Sequence, residues 1–406
     1  MNHDARESSS QKATALSGKL SNSFRISFFI LGVSVFLIAA VEMVLSITEG
    51  SQIYTTSMRK MRMICLREHP PGGRFSIQPD ADYLQKTDSL DDKIYKFDID
   101  ERGFIQPSRV YEDPDVEMVF LGGSTTECMY VSEDKRFPYL AGRNLSARTG
   151  KKINAYNGGV SGNHSLHSID VLLHKALPMR PAAVLLLHNV NDLNILLYEG
   201  GYWNSNPTRS LIEDVEISEG EEYPTLLRRM KNIVRYTIPH LYRRAFLLKK
   251  QWRRGDESPI GNPQQDEFAH LRGRKIQYDE AFMRREFRRN LEWFVDIVRD
   301  SGSTPILMTQ ANRFTGNPDK VVRINMMDLE DMGIGFEEYK ELYDGFNQII
   351  RDVGEDKEAR VIDLERMIPK ESRYMYDTMH FNDEGSIKAA EIIAAHLLDL
   401  FAEPEL

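Results

Sequence analysis

Apolar and polar positions divide the chain into three regimes. Residues 1–25 are polar, rich in Ser, Lys and Asn, and without period, which predicts a disordered tail. Ile26 to Ile47 is then apolar apart from small residues and Glu42. At about 1.5 Å per residue this run reaches across roughly the 30 Å of a bilayer core, so the expectation is a transmembrane anchor at 26–47. A buried soluble helix and a cleavable signal peptide compete with it. The long polar lead-in and the lack of an A-x-A site before Gln52 favour the retained anchor. From 48 to 115 the pattern breaks up. It predicts a helix over Ile53–Arg67, a break at the Pro-Pro-Gly-Gly of 70–73, a strand at Lys93–Asp98 and a turn at Glu101–Gly103: a stalk with an added hairpin.

From residue 116 to 406 short apolar runs alternate with helical periods, the mark of an α/β domain with a central parallel sheet. The predicted strands are Met118–Leu121, Ile153–Tyr156, Ala183–Leu187, Pro305–Thr309 and Arg360–Leu364. Ligands of such sheets bind beyond the carboxyl ends of the strands. That singles out Ser124, Asn157–Gly162, His188–Asp192, Gln310–Arg313 and Glu365. An insertion at about 200–280 precedes the fourth strand, and within it residues 224–254 hold ten Lys or Arg and no acid. Leu226, Met230, Ile233 and Thr237, then Leu241, Ala245, Leu248 and Trp252, recur at helical spacing. Two basic amphipathic helices follow, either lying on an anionic membrane or packing on the protein's own sheet. Asp279–Asp300 is a charged helix leading into the fourth strand.

Charge and cysteine content narrow the classes. A net charge of -9 argues against nucleic acid as a partner. Two cysteines, Cys65 and Cys128, make neither a disulfide framework nor a zinc site, and Cys128 is expected to be buried just after Ser124. No phosphate loop or metal-ligand cluster is visible, so no cofactor is expected.

The chemistry gathers at two places. In Glu117-Met-Val-Phe-Leu-Gly-Gly-Ser124 a strand breaks at two glycines, and a serine opens the next helix. Such a serine either caps the helix or is held out at the sheet edge, where free N–H groups can meet an oxyanion. Downstream, Asp377-Thr-Met-His380 places a carboxylate and an imidazole on one turn. There the acid can fix the ring while the other nitrogen faces a serine. His164, His167 and His188 read as turn or core residues. Tyr198, Tyr202 and Trp203 either stack on a sugar or pack under the insertion. His188, Trp203, Gln310 and Asn312 are the candidate substrate contacts. Asn144-Leu-Ser and Asn163-His-Ser match the glycosylation tripeptide by chance.

Four short blocks together resemble the SGNH (GDSL-type) hydrolase superfamily. They are Gly122-Gly-Ser124-Thr-Thr, Asn157-Gly-Gly-Val-Ser-Gly162, Asn189-Val-Asn191-Asp192 and Asp377-Thr-Met-His380, in the family's order. The resemblance covers about 116–400 and implies a flavodoxin-like three-layer sandwich. It also implies a Ser124–His380–Asp377 triad, with an oxyanion hole from the N–H groups of Ser124 and Gly162 and the Asn191 amide. Gly123 stands where the family's name motif has aspartate, Thr125 where it has leucine, and Asn189 where the third block has glycine. None of these removes a catalytic group. The arrangement is most similar to membrane-anchored SGNH proteins of bacterial envelope polysaccharide systems. This implies a single-pass protein with a periplasmic or otherwise extracytoplasmic domain acting on an O-acylated carbohydrate. The alternatives are a lipid or thioester acylhydrolase, and an idle module that binds glycan.

Overall fold

The computed structural model describes residues 27–34, 36–37, 58–64, 66–206, 208–218, 268, 271 and 274–402. Two compact units divide the chain, Met1–Arg62 with Asp214–Arg244 and Met63–Glu213 with Ala245–Leu406. In the first, residues 27–34 and 36–37 are helical, and Phe28, Phe29, Ile30, Leu31, Phe36 and Leu37 stand exposed. The rest of the expected anchor at 26–47 lies outside the described residues, as do the tail at 1–25 and the basic segment at 224–254. Among the described residues no helix is long and apolar enough to cross a membrane. The helix predicted over Ile53–Arg67 is corrected. Residues Met58–Ile64 form a strand, β1, paired with Ile212–Ser218, numbered β7 in chain order. Its backbone groups are satisfied by a partner far along the chain, which no local period reveals.

The larger unit is built on a five-stranded parallel sheet. Its strands are β4 (Val116–Gly122), β5 (Ile153–Gly159), β6 (Ala183–Leu187), β8 (Thr304–Met308) and β9 (Arg360–Ile362), in the order β5-β4-β6-β8-β9. All five strands expected from the apolar runs are present. Strand β4 pairs on both sides, Phe120 with Asn157 of β5 and with Leu185 of β6. Alternation along each strand then feeds two separate cores. Val119, Leu121, Val184, Leu186 and Leu307 face one, with α3 (Val190–Glu199), α4 (Glu280–Asp300) and α6 (Phe336–Asp356). Met118, Phe120, Ala183, Leu185, Leu187, Ile306 and Met308 face the other, with α1 (Phe137–Thr149) and α7 (Asp383–Phe401). The result is the expected three-layer sandwich.

Helix α4 shows how sequence makes this layer. Asp279 caps it by accepting from the Phe282 N–H. Met283, Phe287, Leu291, Phe294 and Val298, spaced three to four apart, form its buried stripe. Each large side chain so buried contributes about 1.5–3 kcal/mol. Two further helices of this unit are α2 (Ser165–Val171) and α5 (Lys320–Asp331).

Residues 66–110 are more than a spacer. Strands β2 (Arg74–Ile77) and β3 (Tyr95–Asp98) pair antiparallel. The partner of β3 is therefore an upstream strand, and the turn at 101–103 closes on Gly103 N–H to Asp100 O, 3.1 Å. A third apolar cluster joins this hairpin to the main body through Tyr95, Phe97, Ile105, Tyr130 and Tyr376.

Candidate active site

Ser124, Asp377 and His380 meet at the carboxyl edge of the sheet. Ser124 opens a one-turn helix, Ser124–Glu127, directly after β4. Its Oγ lies 2.6 Å from His380 Nε2, although 256 residues separate the two in the chain. His380 Nδ1 lies 2.6 Å from Asp377 Oδ2. A carboxylate only accepts, so Nδ1 carries the proton and Nε2 presents its lone pair to the serine hydroxyl. Asp377 Oδ1 accepts from the N–H groups of Met379 and His380 at 2.9 and 2.8 Å, which locks the turn. Burial alone would lower the His380 pKa, but the Asp377 charge and hydrogen bond outweigh it and hold the imidazole above its usual value. Burial alone would raise Asp377, and the paired imidazole holds it below the ordinary carboxylate range instead.

The histidine turn is braced from three sides. Tyr376 stacks on the His380 ring, centroids 5.7 Å apart. Arg313, in the segment after β8, donates its N–H to Thr378 O at 2.8 Å and its guanidinium to Met375 O at 3.2 Å. The same guanidinium grips both oxygens of Asp88, at 2.9 and 2.7 Å, from the stretch before β3. Asn382 caps α7 by accepting from Gly385 N–H.

On the other side of Ser124 stands the turn Val160–Asn163. Its first N–H donates to Gly122 O at 3.1 Å, which seats it beside the serine. Gly162 has φ +78°, a left-handed value that favours glycine. Among the described residues, the N–H groups of Ser124 and Gly162 donate to no acceptor. The Asn191 side chain, at the start of α3, donates one amide hydrogen to Asn163 O at 2.8 Å and keeps the other. A Cβ on Gly123 would sit 2.2 Å from that amide nitrogen. The aspartate of the family's name motif therefore has no room here unless Asn191 moves. Asn189 is buried, and its side-chain amide donates to Tyr343 O at 3.0 Å, a bond glycine could not make. That accounts for asparagine where the third block has glycine.

Of the four candidate substrate contacts, the structure turns three inward. His188 is buried, its Nε2 2.7 Å from Ser168 Oγ and its Nδ1 3.5 Å from Asp192. Gln310 is buried between Val190 N–H and Thr125 Oγ1, at 3.0 and 2.7 Å. Asn312 is buried and accepts from Phe314 N–H and Lys370 Nζ. All three are hydrogen-bonded within the protein, and His188 and Gln310 also line the recess at Ser124. Trp203 is exposed, but what it stacks on is Arg289 of α4. Burial lowers the His188 pKa to about 3, so it stays neutral and titrates outside any working range. His164 and His167 are buried and stacked on one another, as core residues.

Sequence reasoning singled out Asp192 by its strand end without giving it a role, and missed Glu127 and Arg67. Asp192 is wholly buried and accepts from Ser165 N–H and Tyr202 OH, tying α2 to α3. Burial raises its pKa to about 6, against the pull of those hydrogen bonds. Glu127 was readable as one turn past Ser124, but nothing in the chain announces its partners. Cys128 is buried as expected, one residue past the short helix and at φ 56°. Among the described residues no group of three or more His, Cys, Asp or Glu is placed to hold a metal ion.

The space at Ser124 is lined by Gly123, Thr125, Leu187, His188, Asn189, Val190, Asn191 and Gln310. Only Leu187 and Val190 offer purely apolar side chains. A hydroxyl, imidazole and carboxylate in this order can transfer the Oγ proton to Nε2 as Oγ attacks a carbonyl.

A model of the GDSL-like lipase/acylhydrolase family matches residues 120–386. Among solved structures, a lipase/acylhydrolase from Enterococcus faecalis is similar at 14% identity and a TM-score of 0.39, over 72% of this chain and 99% of that one. An acetylxylan esterase from Geobacillus stearothermophilus is similar at 13% identity and 0.37, over 72% of this chain and 96% of that one. No curated protein matches the chain.

Proposed function

The chain belongs to the GDSL-like lipase/acylhydrolase family, hydrolases that act on esters. From that premise we propose that it removes, or transfers, a short O-acyl group such as acetyl on a cell-envelope polysaccharide. It would do so through an acyl-serine on Ser124, from a domain held outside the cytoplasm by a single span at 26–47. The observation that carries the reading is the unbroken chain Ser124–His380–Asp377, with 2.6 Å at each step.

In this mechanism His380 Nε2 takes the Ser124 proton as Oγ bonds to the ester carbonyl carbon. Asp377 stabilises the imidazolium that forms. The charge on the former carbonyl oxygen is met by the N–H groups of Ser124 and Gly162 and by the spare Asn191 hydrogen. When the carbon–oxygen bond to the sugar breaks, His380 returns the proton to the leaving oxygen. Water, or a second sugar hydroxyl, then attacks the acyl-serine by the same route in reverse.

A short acyl group suits the lining better than a fatty one, because a long chain would need an apolar slot and this recess is mostly polar. The apolar run at 26–47, whose described helical residues are exposed, supports the anchor. Basic helices over 224–254 would add contact with anionic lipid. The test is a series of nitrophenyl esters. Acetate should be turned over faster than octanoate, and acetyl release from an acetylated polysaccharide should disappear in Ser124→Ala. A preference for octanoate would favour the lipid-hydrolase reading.

A further inference from the structure

We infer that Arg67 and Glu127 are positioning residues which lock the Val160–Asn163 turn in the form that presents the Gly162 N–H to Ser124. The inference rests on the acyl-serine reading above. Asn163 N–H donates to Val160 O at 3.0 Å. With Gly162 at φ +78°, Val160–Asn163 is a type II turn. Rotating the central Ser161–Gly162 peptide would convert it to type I with little change elsewhere. The Gly162 N–H and the Ser161 carbonyl would then exchange sides. A carbonyl facing a developing oxyanion repels it, so the choice between the two forms decides whether the hole exists.

Both ends of that choice are held by buried side chains. Arg67 Nη2 donates to Ser161 O at 2.9 Å. The peptide is planar and trans, so fixing the carbonyl on one side fixes the Gly162 N–H on the other. Glu127, wholly buried one turn after Ser124, accepts the Ser161 N–H at 3.0 Å on Oε1 and the Ser161 hydroxyl on Oε2. His69 Nε2 stands 3.0 Å behind Oε1. Arg67 O also receives the Asn163 side-chain amide at 3.2 Å. The turn is thus gripped at Ser161 N–H, Ser161 hydroxyl, Ser161 carbonyl and Asn163. None of these ties is needed to hold the Asp377–His380 pair. They belong to the loop alone, and Arg67, which makes two of them, comes from the segment before the sheet, as does His69 behind Glu127.

The experiment is steady-state hydrolysis of a short ester by full-length Arg67→Met, Arg67→Lys and Glu127→Gln, each checked for folding by thermal unfolding. Misaiming one oxyanion donor should lower kcat about 10–100-fold with KM within about threefold. Inactivation by a fluorophosphonate should slow in parallel. The midpoint of the acid limb should stay in place in the Arg67 variants, whereas in Glu127→Gln it should fall, because the Glu127 charge helps to raise His380. Arg67→Lys, which can still donate to Ser161 O, should recover part of the loss. If Arg67→Met fails to fold, Glu127→Gln and Ser161→Ala carry the same criterion. Folded variants within twofold of wild-type kcat would overturn the turn lock. So would a loss confined to KM. If the wild type neither hydrolyses esters nor takes the label on Ser124, the parent reading falls instead.

Discussion

Gly123→Ala is a one-carbon change that should nearly silence the protein. The added Cβ would lie 2.2 Å from Asn191 Nδ2 and 3.2 Å from Asn163 O. An ordinary carbon–nitrogen contact is about 3.5 Å, so the amide must withdraw by more than about 1 Å. Withdrawal breaks its 2.8 Å bond to Asn163 O and takes the spare hydrogen away from the oxyanion. Loss of one such donor costs about 10²–10³ in kcat. The broken hydrogen bond and shifted rotamer together cost only about 1–3 kcal/mol of stability, so the protein should remain folded. The assay is kcat and KM on a short ester beside a thermal melt, for Gly123→Ala, Asn191→Ala and the double variant. Because both singles remove the same donor, the double should be no worse than the poorer single. Wild-type turnover in Gly123→Ala, or two losses that multiply in the double, would show that Asn191 is not in the hole.

Catalysis needs neutral His380, whose pKa is raised by Asp377 against burial. Activity should therefore rise with pH through a midpoint above the ordinary imidazole value. In Asp377→Asn burial outweighs the smaller remaining pull of the Glu127 charge, so that midpoint should fall while the maximal rate drops about 10⁴-fold; an unmoved limb would mean another group controls it. Burial pushes the Cys128 thiol up to about 12, so the folded protein should resist maleimide at that residue at neutral pH and react only once unfolded. Rapid labelling of folded Cys128 would contradict its placement. Phe294→Ala, in the buried stripe of α4, should cost about 3–5 kcal/mol in chemical denaturation, and a loss below 1 kcal/mol would mean the stripe is loosely packed. The full chain should sediment with membranes and be released by detergent but not by salt, whereas a chain beginning after residue 47 should be soluble or salt-releasable; a full chain freed by salt alone would remove the anchor.

The sheet was legible because burial on two faces writes an apolar run at each strand, and all five runs became strands. Ser124 and Asp377/His380 were legible because their chemistry demands a tight turn and a fixed spacing. Position alone says less elsewhere. His188, Gln310 and Asn312 follow strand ends, as substrate contacts do, and their side chains also bond to Ser168, Thr125 and Phe314. A strand end fixes where a residue is, and packing decides which way it points. Met58–Ile64 read as helix because its β partner, Ile212–Ser218, is remote in sequence. The grip of Arg67 and Glu127 on Ser161 joins three distant stretches and leaves no periodic trace in any of them. The same holds for Arg313 and Asp88, which tie residues 66–110 to the histidine turn.

The central claim is that Ser124 is a nucleophile activated by His380. Its most direct test is to treat the purified protein with a tagged fluorophosphonate and map the modified peptide by mass spectrometry. A single stoichiometric adduct on Ser124 is expected, lost in Ser124→Ala and strongly slowed in His380→Ala. An adduct on another residue, or labelling that survives Ser124→Ala, would contradict it.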